Sequence, residues 1–263
     1  MHLIKDNSKI FYGQQGKGKY TFILLHGTGG GHWQFETVIP LLSKYGKVIY
    51  LDLRGHGNSD ERSEEYKIET YAQDVAWLCE QIAVKNPIFV GLSMGGNIAV
   101  EIAASFPHLS QGIALLDSAL LYPPEMLTKM SSYKKGLESP EYKSIITEII
   151  HNSCLPTDSF SSMFLERALQ TSQQVWYSSL ANMLEWDKAA ATKIQLIKIP
   201  VLYVAAAHLI VDLHRFNQLC PQLIIGRTVG SGHINTLGAP IQISDMLKQF
   251  AEKYLHNTTT TNC

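Results

Sequence analysis

Six short apolar runs limit what this chain can fold into. They read "YTFILLHG" from residue 20, "KVIYLDLRG" from 47, "PIFVGLS" from 87, "GIALLDSA" from 112, "PVLYVAA" from 200 and "QLIIGRTVG" from 222. Each has strand length and is apolar throughout instead of alternating, the pattern of strands covered on both faces in a parallel sheet. Between them lie stretches of helical periodicity at 34–44, 68–84, 94–105, 212–219 and 241–254. Strand-helix alternation of this kind predicts an α/β fold with a doubly wound, mostly parallel sheet. The earlier stretch "KIFYGQQGKGK" is expected to open the fold as a hairpin turning on Gly16 and Gly18.

One connection breaks the rhythm. From Asp117 to Pro200 is 200 − 117 = 83 positions without a convincing strand, far longer than a strand-to-helix loop. It is expected to be a helical lid, residues 120–197, inserted after the sixth strand, so that 1–119 and 198–256 form one discontinuous core. Trp176, Leu180, Met183 and Leu184 recur at helical spacing within it, a stripe suited to fastening the lid to the sheet. The closing residues 257–263 are polar and low in complexity, and are expected to be disordered.

Composition narrows the partners. The chain has 263 residues, 45% of them hydrophobic, with Lys+Arg 22 against Asp+Glu 23 and a net charge of −1. The charges are interspersed, which argues against nucleic acid as a partner. No run approaches the ~18 apolar residues of a spanning helix. The N-terminus lacks an apolar leader core, and Cys79, Cys154, Cys220 and Cys263 show no CxxC spacing. The expected compartment is cytoplasmic, with the thiols reduced, and the Asn257-Thr258-Thr259 glycosylation match is then empty.

Three motifs carry chemistry. Gly91-Leu92-Ser93-Met94-Gly95 fits G-x-S-x-G between an apolar strand and the helix "MGGNIAVEIAA". A serine on so sharp a turn is strained, and the chain around it passes too closely for side chains at 91 and 95. In return its hydroxyl projects above the sheet beside the amides of a helix N-terminus. "LLHGTGGGHW" follows a strand, and its glycines let a backbone N–H swing toward the serine. The Thr28 and Met94 amides would then form an oxyanion hole. No Lys-Ser/Thr follows as in a phosphate-binding loop, nor is there GxGxxG. Finally "TVGSGHINTLGAP" places His233 beyond the last strand, in the chain order serine, acid, histidine, where an imidazole can serve as the base a serine needs.

With "LLHGTGG", "YLDLRGHGNSD", "VGLSMGG" and "GSGH" in order along nearly the whole chain, the sequence resembles the α/β-hydrolase-fold superfamily of lidded serine hydrolases. The resemblance implies Ser93 as nucleophile, His233 as base, no cofactor and no metal. It makes "DLRGHGNSD" a structural turn in which Asp52, Arg54 and His56 bond to backbone and neighbours. Relatives with an aspartate nucleophile are disfavoured, because the elbow holds Ser93.

The acid departs from the family. Its usual G-x-x-D pattern falls here on Ala206-Ala207-His208-Leu209, and a leucine cannot hold a histidine tautomer. Two carboxylates stay open. Asp117 ends the preceding strand, where some relatives keep their acid, and the vacancy at Leu209 favours it. Asp212 is the alternative, although as the first residue of a helix it is suited to capping. His208 and His214 beside it match no known metal-ligand set well.

The expected activity is hydrolysis of a small, mostly apolar carboxylic ester or thioester through an acyl-enzyme. The small-molecule acyl substrate would lie against lid aromatics such as Trp176, Tyr177, Phe160 and Phe164. A C–C bond hydrolase of ring-cleavage products, or a ligand-binding protein with little turnover, are the alternatives.

Overall fold

The computed structural model describes residues 1–62 and 66–255. The expected disordered tail and Cys263 lie outside them. Eight strands form one sheet: β1 (His2–Lys5), β2 (Ser8–Gln15), β3 (Tyr20–Leu25), β4 (Gly46–Leu51), β5 (Ile88–Leu92), β6 (Gly112–Leu116), β7 (Val201–Ala205) and β8 (Leu223–Arg227). Their spatial order is β1-β2-β4-β3-β5-β6-β7-β8. The strands from β3 onward run parallel, while β2 is antiparallel to both β1 and β4.

The continuous apolar runs are explained by helices on both faces. Ile23, Leu25, Phe89, Ile113, Leu115 and Tyr203 point into one buried cluster, with α2 (Ile68–Gln81), α3 (Met94–Ser105) and α8 (Leu213–Leu219). Their alternate neighbours Phe22, Leu24, Val90, Ala114, Leu116 and Val204 point into the other, with α1 (Ile39–Leu42) and α10 (Pro240–Tyr254). Both sets of strand residues are fully buried or nearly so. Among the described residues no helix is long and apolar enough to cross a membrane.

Three local expectations are corrected. The opening hairpin turns at Asp6-Asn7, not at Gly16 and Gly18. Lys5 pairs with Ser8, and both turn residues have positive φ (47° and 63°), the conformation a two-residue turn needs to match strand twist. The glycine turn instead carries the chain from β2 into β3, two strands that are not neighbours. The helix expected over 34–44 splits into a 3-10 turn (His32–Phe35) and the short α1. Pro40 lacks the N–H that a continuous helix would give to the Glu36 carbonyl. The helix expected over 68–84 stops at Gln81, with Ala83 at φ 51° and the Val84 amide bonded 2.9 Å back to the Cys79 carbonyl.

Four helices occupy the long connection between β6 and β7: α4 (Pro124–Leu137), α5 (Tyr142–Ser153), α6 (Ser161–Ala168) and α7 (Gln173–Leu196). The 24-residue α7 is bolted to α3 by one buried carboxylate. Glu101 accepts hydrogen bonds from Trp186 Nε1 and Lys193 Nζ, each at 2.7 Å, and from Ser105 Oγ at 2.7 Å. Burial works to raise its pKa, but the hydrogen bonds of Lys193, Ser105 and Trp186 outweigh burial and hold it below the usual value.

A depressed carboxylate contributes stability above its unfolded pKa and loses it as pH falls through the folded one. Glu101→Gln should therefore cost about 1–3 kcal/mol at pH 7, the worth of hydrogen bonds to a charged group. The deficit relative to wild type should shrink below about pH 4.3. Urea midpoints of both proteins between pH 7 and pH 3 measure it; a deficit that stays constant over that range would rule out the charge as its source.

Candidate active site

The C-terminal ends of the parallel strands open on one edge of the sheet, where α/β proteins bind ligands. Ser93 follows β5 directly, with φ 52° and ψ −119°, a strained backbone for a residue with a side chain. The turn is held by the Ser93 amide on the Leu116 carbonyl (3.1 Å) and the Gly96 amide on the Ser93 carbonyl (2.9 Å). It is possible only with glycine on either side. A Cβ on Gly91 would overlap the Gly95 backbone, and one on Gly95 would overlap the Leu25 carbonyl of the adjacent strand.

Asp117 leaves β6 with φ 41°, a conformation aspartate tolerates better than most residues. It is buried. Its amide bonds to the Val204 carbonyl of β7 (2.8 Å), and its Oδ1 accepts from the Ala206 amide (3.0 Å). Its Oδ2 is 2.7 Å from Nδ1 of His233. His233 comes from the loop after β8, which is tied back where the Ala207 amide bonds to the Ser231 carbonyl (3.1 Å) and Thr228 Oγ1 meets Ser231 Oγ (2.8 Å). Because a carboxylate only accepts, Nδ1 carries a hydrogen, and Nε2 lies on the side of the ring away from Asp117.

Asp212 is elsewhere employed. It is the N-cap of α8, its Oδ1 accepting the Arg215 amide at 2.9 Å, and its side chain is exposed. Leu209, at the family's usual acid position, is exposed as well.

The loop after β3 is braced from several sides. The Gly27 amide donates to Gln34 Oε1 (2.8 Å), and the Gly29 amide to His56 Nε2 (3.2 Å). His26 bonds the Gly27 carbonyl through Nδ1 (2.8 Å) and accepts the Leu53 amide at Nε2 (2.9 Å). Burial lowers the pKa of both histidines, to about 3 for His56, so they are neutral braces. Asp52 accepts the His32 amide (2.6 Å) and the Asn58 amide (2.8 Å), and Arg54 pairs with buried Asp74, the structural roles expected of "DLRGHGNSD". Neither the Thr28 nor the Met94 amide donates to a protein acceptor among the described residues. The Thr28 hydroxyl lies 3.4 Å from the Met94 sulfur.

Above this edge is a cavity of about 910 Å³, counting its mouth, lined by Gly27, Thr28, Ser93 and His233 and roofed by α4–α7. Ser93 and His233 share it, although among the described residues no hydrogen bond joins them. Trp176, Leu180 and Met183 of the helical stripe line the cavity as well as packing against the core, whereas Leu184 does not reach it. Phe164 lines it, but Phe160 and Tyr177 do not. Residues without any sequence signal complete the wall: Tyr122, Met126, Lys129 and Asn152. Gln34, read as a helix start, is instead the brace of the Gly27 loop. Burial pushes the Cys79 thiol up to about 12 and the Cys154 and Cys220 thiols to about 11, which leaves them unreactive.

Known proteins resemble this chain in sequence and fold. The sequence matches the family described as alpha/beta hydrolase fold over residues 20–240. A serine hydrolase-like protein of Danio rerio is 30% identical over 129 residues, which are 48% of this chain and 40% of that one. An AB hydrolase superfamily protein of Bacillus subtilis is 29% identical over 187 residues, 70% of this chain and 68% of that one. The chain thus matches less than half the length of the first relative and about two thirds of the second. A thermophilic esterase from Thermogutta terrifontis superposes with a TM-score of 0.83 over 95% of both chains at 18% identity, a likeness of fold alone. Since the family match runs from β3 through β8 and includes the turns bearing Ser93, Asp117 and His233, the chain belongs to the α/β-hydrolase-fold family.

Proposed function

We propose that the protein is a serine hydrolase that cleaves a small, mostly apolar carboxylic ester or thioester through an acyl-enzyme. The observation that carries this reading is the 2.7 Å pairing of His233 Nδ1 with buried Asp117, in a cavity that the same histidine shares with Ser93. Asp117 holds the tautomer whose Nε2 can take the Ser93 proton. The Ser93 oxygen then attacks the acyl carbon, and the oxyanion is held by the Thr28 and Met94 amides, neither of which has a protein acceptor among the described residues. His233 returns the proton to the departing alcohol or thiol, and water releases the acid by the same steps in reverse roles. Helices α4–α7 serve as the lid. Their apolar side chains, among them Met126, Met130, Phe164 and Trp176, favour an apolar acyl or alcohol group.

A fluorophosphonate probe should label the protein at Ser93, and Ser93→Ala should lose both labelling and hydrolysis of p-nitrophenyl esters while unfolding at nearly the same temperature. Labelling at another residue, or full activity in the variant, would defeat the reading.

The acid is tested separately. Asp117→Asn leaves the carbonyl oxygen but favours the wrong imidazole tautomer, so turnover should fall by ~10³ to 10⁴-fold. Asp212→Asn should lose at most about 1 kcal/mol of helix capping, with turnover retained. A kinetic collapse confined to Asp212→Asn would reverse the assignment, and near-normal turnover in both would mean that neither carboxylate orients His233.

A further inference from the structure

Apart from Ser93, His233, the loop that faces them with its brace Gln34, and Tyr122, the polar side chains of the cavity wall come from two helices, α4 and α5. Lys129 and Tyr133 come from α4, and Asn152 from α5. The Lys129 ammonium lies 5.6 Å from the centre of the Tyr133 ring, and the Asn152 amide donates to the Tyr133 hydroxyl at 2.9 Å. Lys129 and Asn152 are exposed, whereas Leu92 and Gly27 beside Ser93 are buried, so the polar group marks the mouth and the serine the floor.

Lys129 is the single lysine, arginine or carboxylate among the lining residues. Among the described residues it makes no ion pair. Glu148, which together with burial pushes the Tyr133 hydroxyl up, does not line the cavity. An unpaired cation at the rim of an apolar cleft draws anions toward it and leaves one end of the cleft suited to a negative group. Asn152 has a second amide hydrogen beside it, and Tyr133 packs under the ammonium and fixes its place.

We propose that Lys129 and Asn152 bind a carboxylate at the end of the substrate remote from the scissile bond. The substrate class is then an ester or thioester with an apolar middle and an acidic far end. This deepens the hydrolase reading of Ser93 and rests on it. The lysine acts as a specificity determinant: it touches the substrate but takes no part in bond making.

Two matched pairs of probes test it. One places the acid on the acyl side, the mono-p-nitrophenyl ester of adipic acid against its methyl-capped form. The other places it on the leaving group, 4-acetoxybenzoate against its methyl ester. In at least one pair kcat/KM should favour the acidic member, and the preference should weaken as salt screens the lysine. Lys129→Glu should lower the acidic-to-neutral ratio by about tenfold or more, as turning a close attractive pair repulsive does, and Lys129→Arg should keep the preference. Preference for the neutral member in both pairs, or a ratio that Lys129→Glu leaves unchanged, overturns the proposal. Failure to turn over any probe counts against the hydrolase reading instead. Titration of Ser93→Ala with the intact esters then decides the charge preference by itself. Tighter binding of the acid that vanishes in Ser93→Ala/Lys129→Glu supports it, and equal binding of acid and methyl ester overturns it.

Discussion

The site depends on a contact between two stretches of backbone. Gly95, in the first turn of α3, lies against the Leu25 carbonyl at the end of β3 so closely that a single methyl group would separate them. The contact lets β5 turn sharply into α3 at Ser93 while β3 passes beside it. It brings the loop that carries Thr28 to the same point as the Met94 amide. The strained serine and the Thr28 and Met94 amides are thus positioned by backbone, which packing fixes more tightly than it fixes long side chains.

Strand adjacency then brings Asp117 to His233. Asp117 ends the strand next to β5, and its Oδ1 is used up on the Ala206 amide of the following strand, which leaves Oδ2 for His233. A buried carboxylate would be costly without such partners. The Ala206 amide and the His233 imidazole compensate its burial and fix its direction at once. Asp212 has a single amide partner within its own helix and stays at the surface.

The roof is fastened to the same floor. Besides Glu101, the carboxylate of Asp187 on α7 accepts the amides of Leu121 (2.6 Å) and Tyr122 (3.3 Å), just beyond Asp117. Burial pushes the Asp187 carboxyl up, against the pull of those two amides. Ser178 and Ser179 of the same helix bond the Tyr66 amide (3.0 Å) and the Tyr71 hydroxyl (2.9 Å). The long helix is thereby joined to both the loop after Asp117 and α2, and the cavity walls outside this bracing include those of α4, α5 and α6, with Lys129 and Asn152 on the first two.

The sequence by itself determined the fold class and the elbow. Apolar runs two-sided in their burial, and glycines placed two residues before and after a serine, are local signals that survive any tertiary context. It also isolated the two carboxylates, but spacing alone left Asp117 and Asp212 open, since 24 and 119 residues after Ser93 are equally reachable once a chain folds. Only the order of β6, β7 and β8 in the sheet decided which of them meets His233. Likewise the sequence placed the opening hairpin on Gly16 and Gly18, and only the pairing of β2 with β1 and β4 put its turn at Asp6-Asn7. Tyr122, Lys129 and Asn152 carry no motif at all. They became neighbours of the site because helices packed over the strand ends, and packing of that kind is a long-range property that no window of sequence contains.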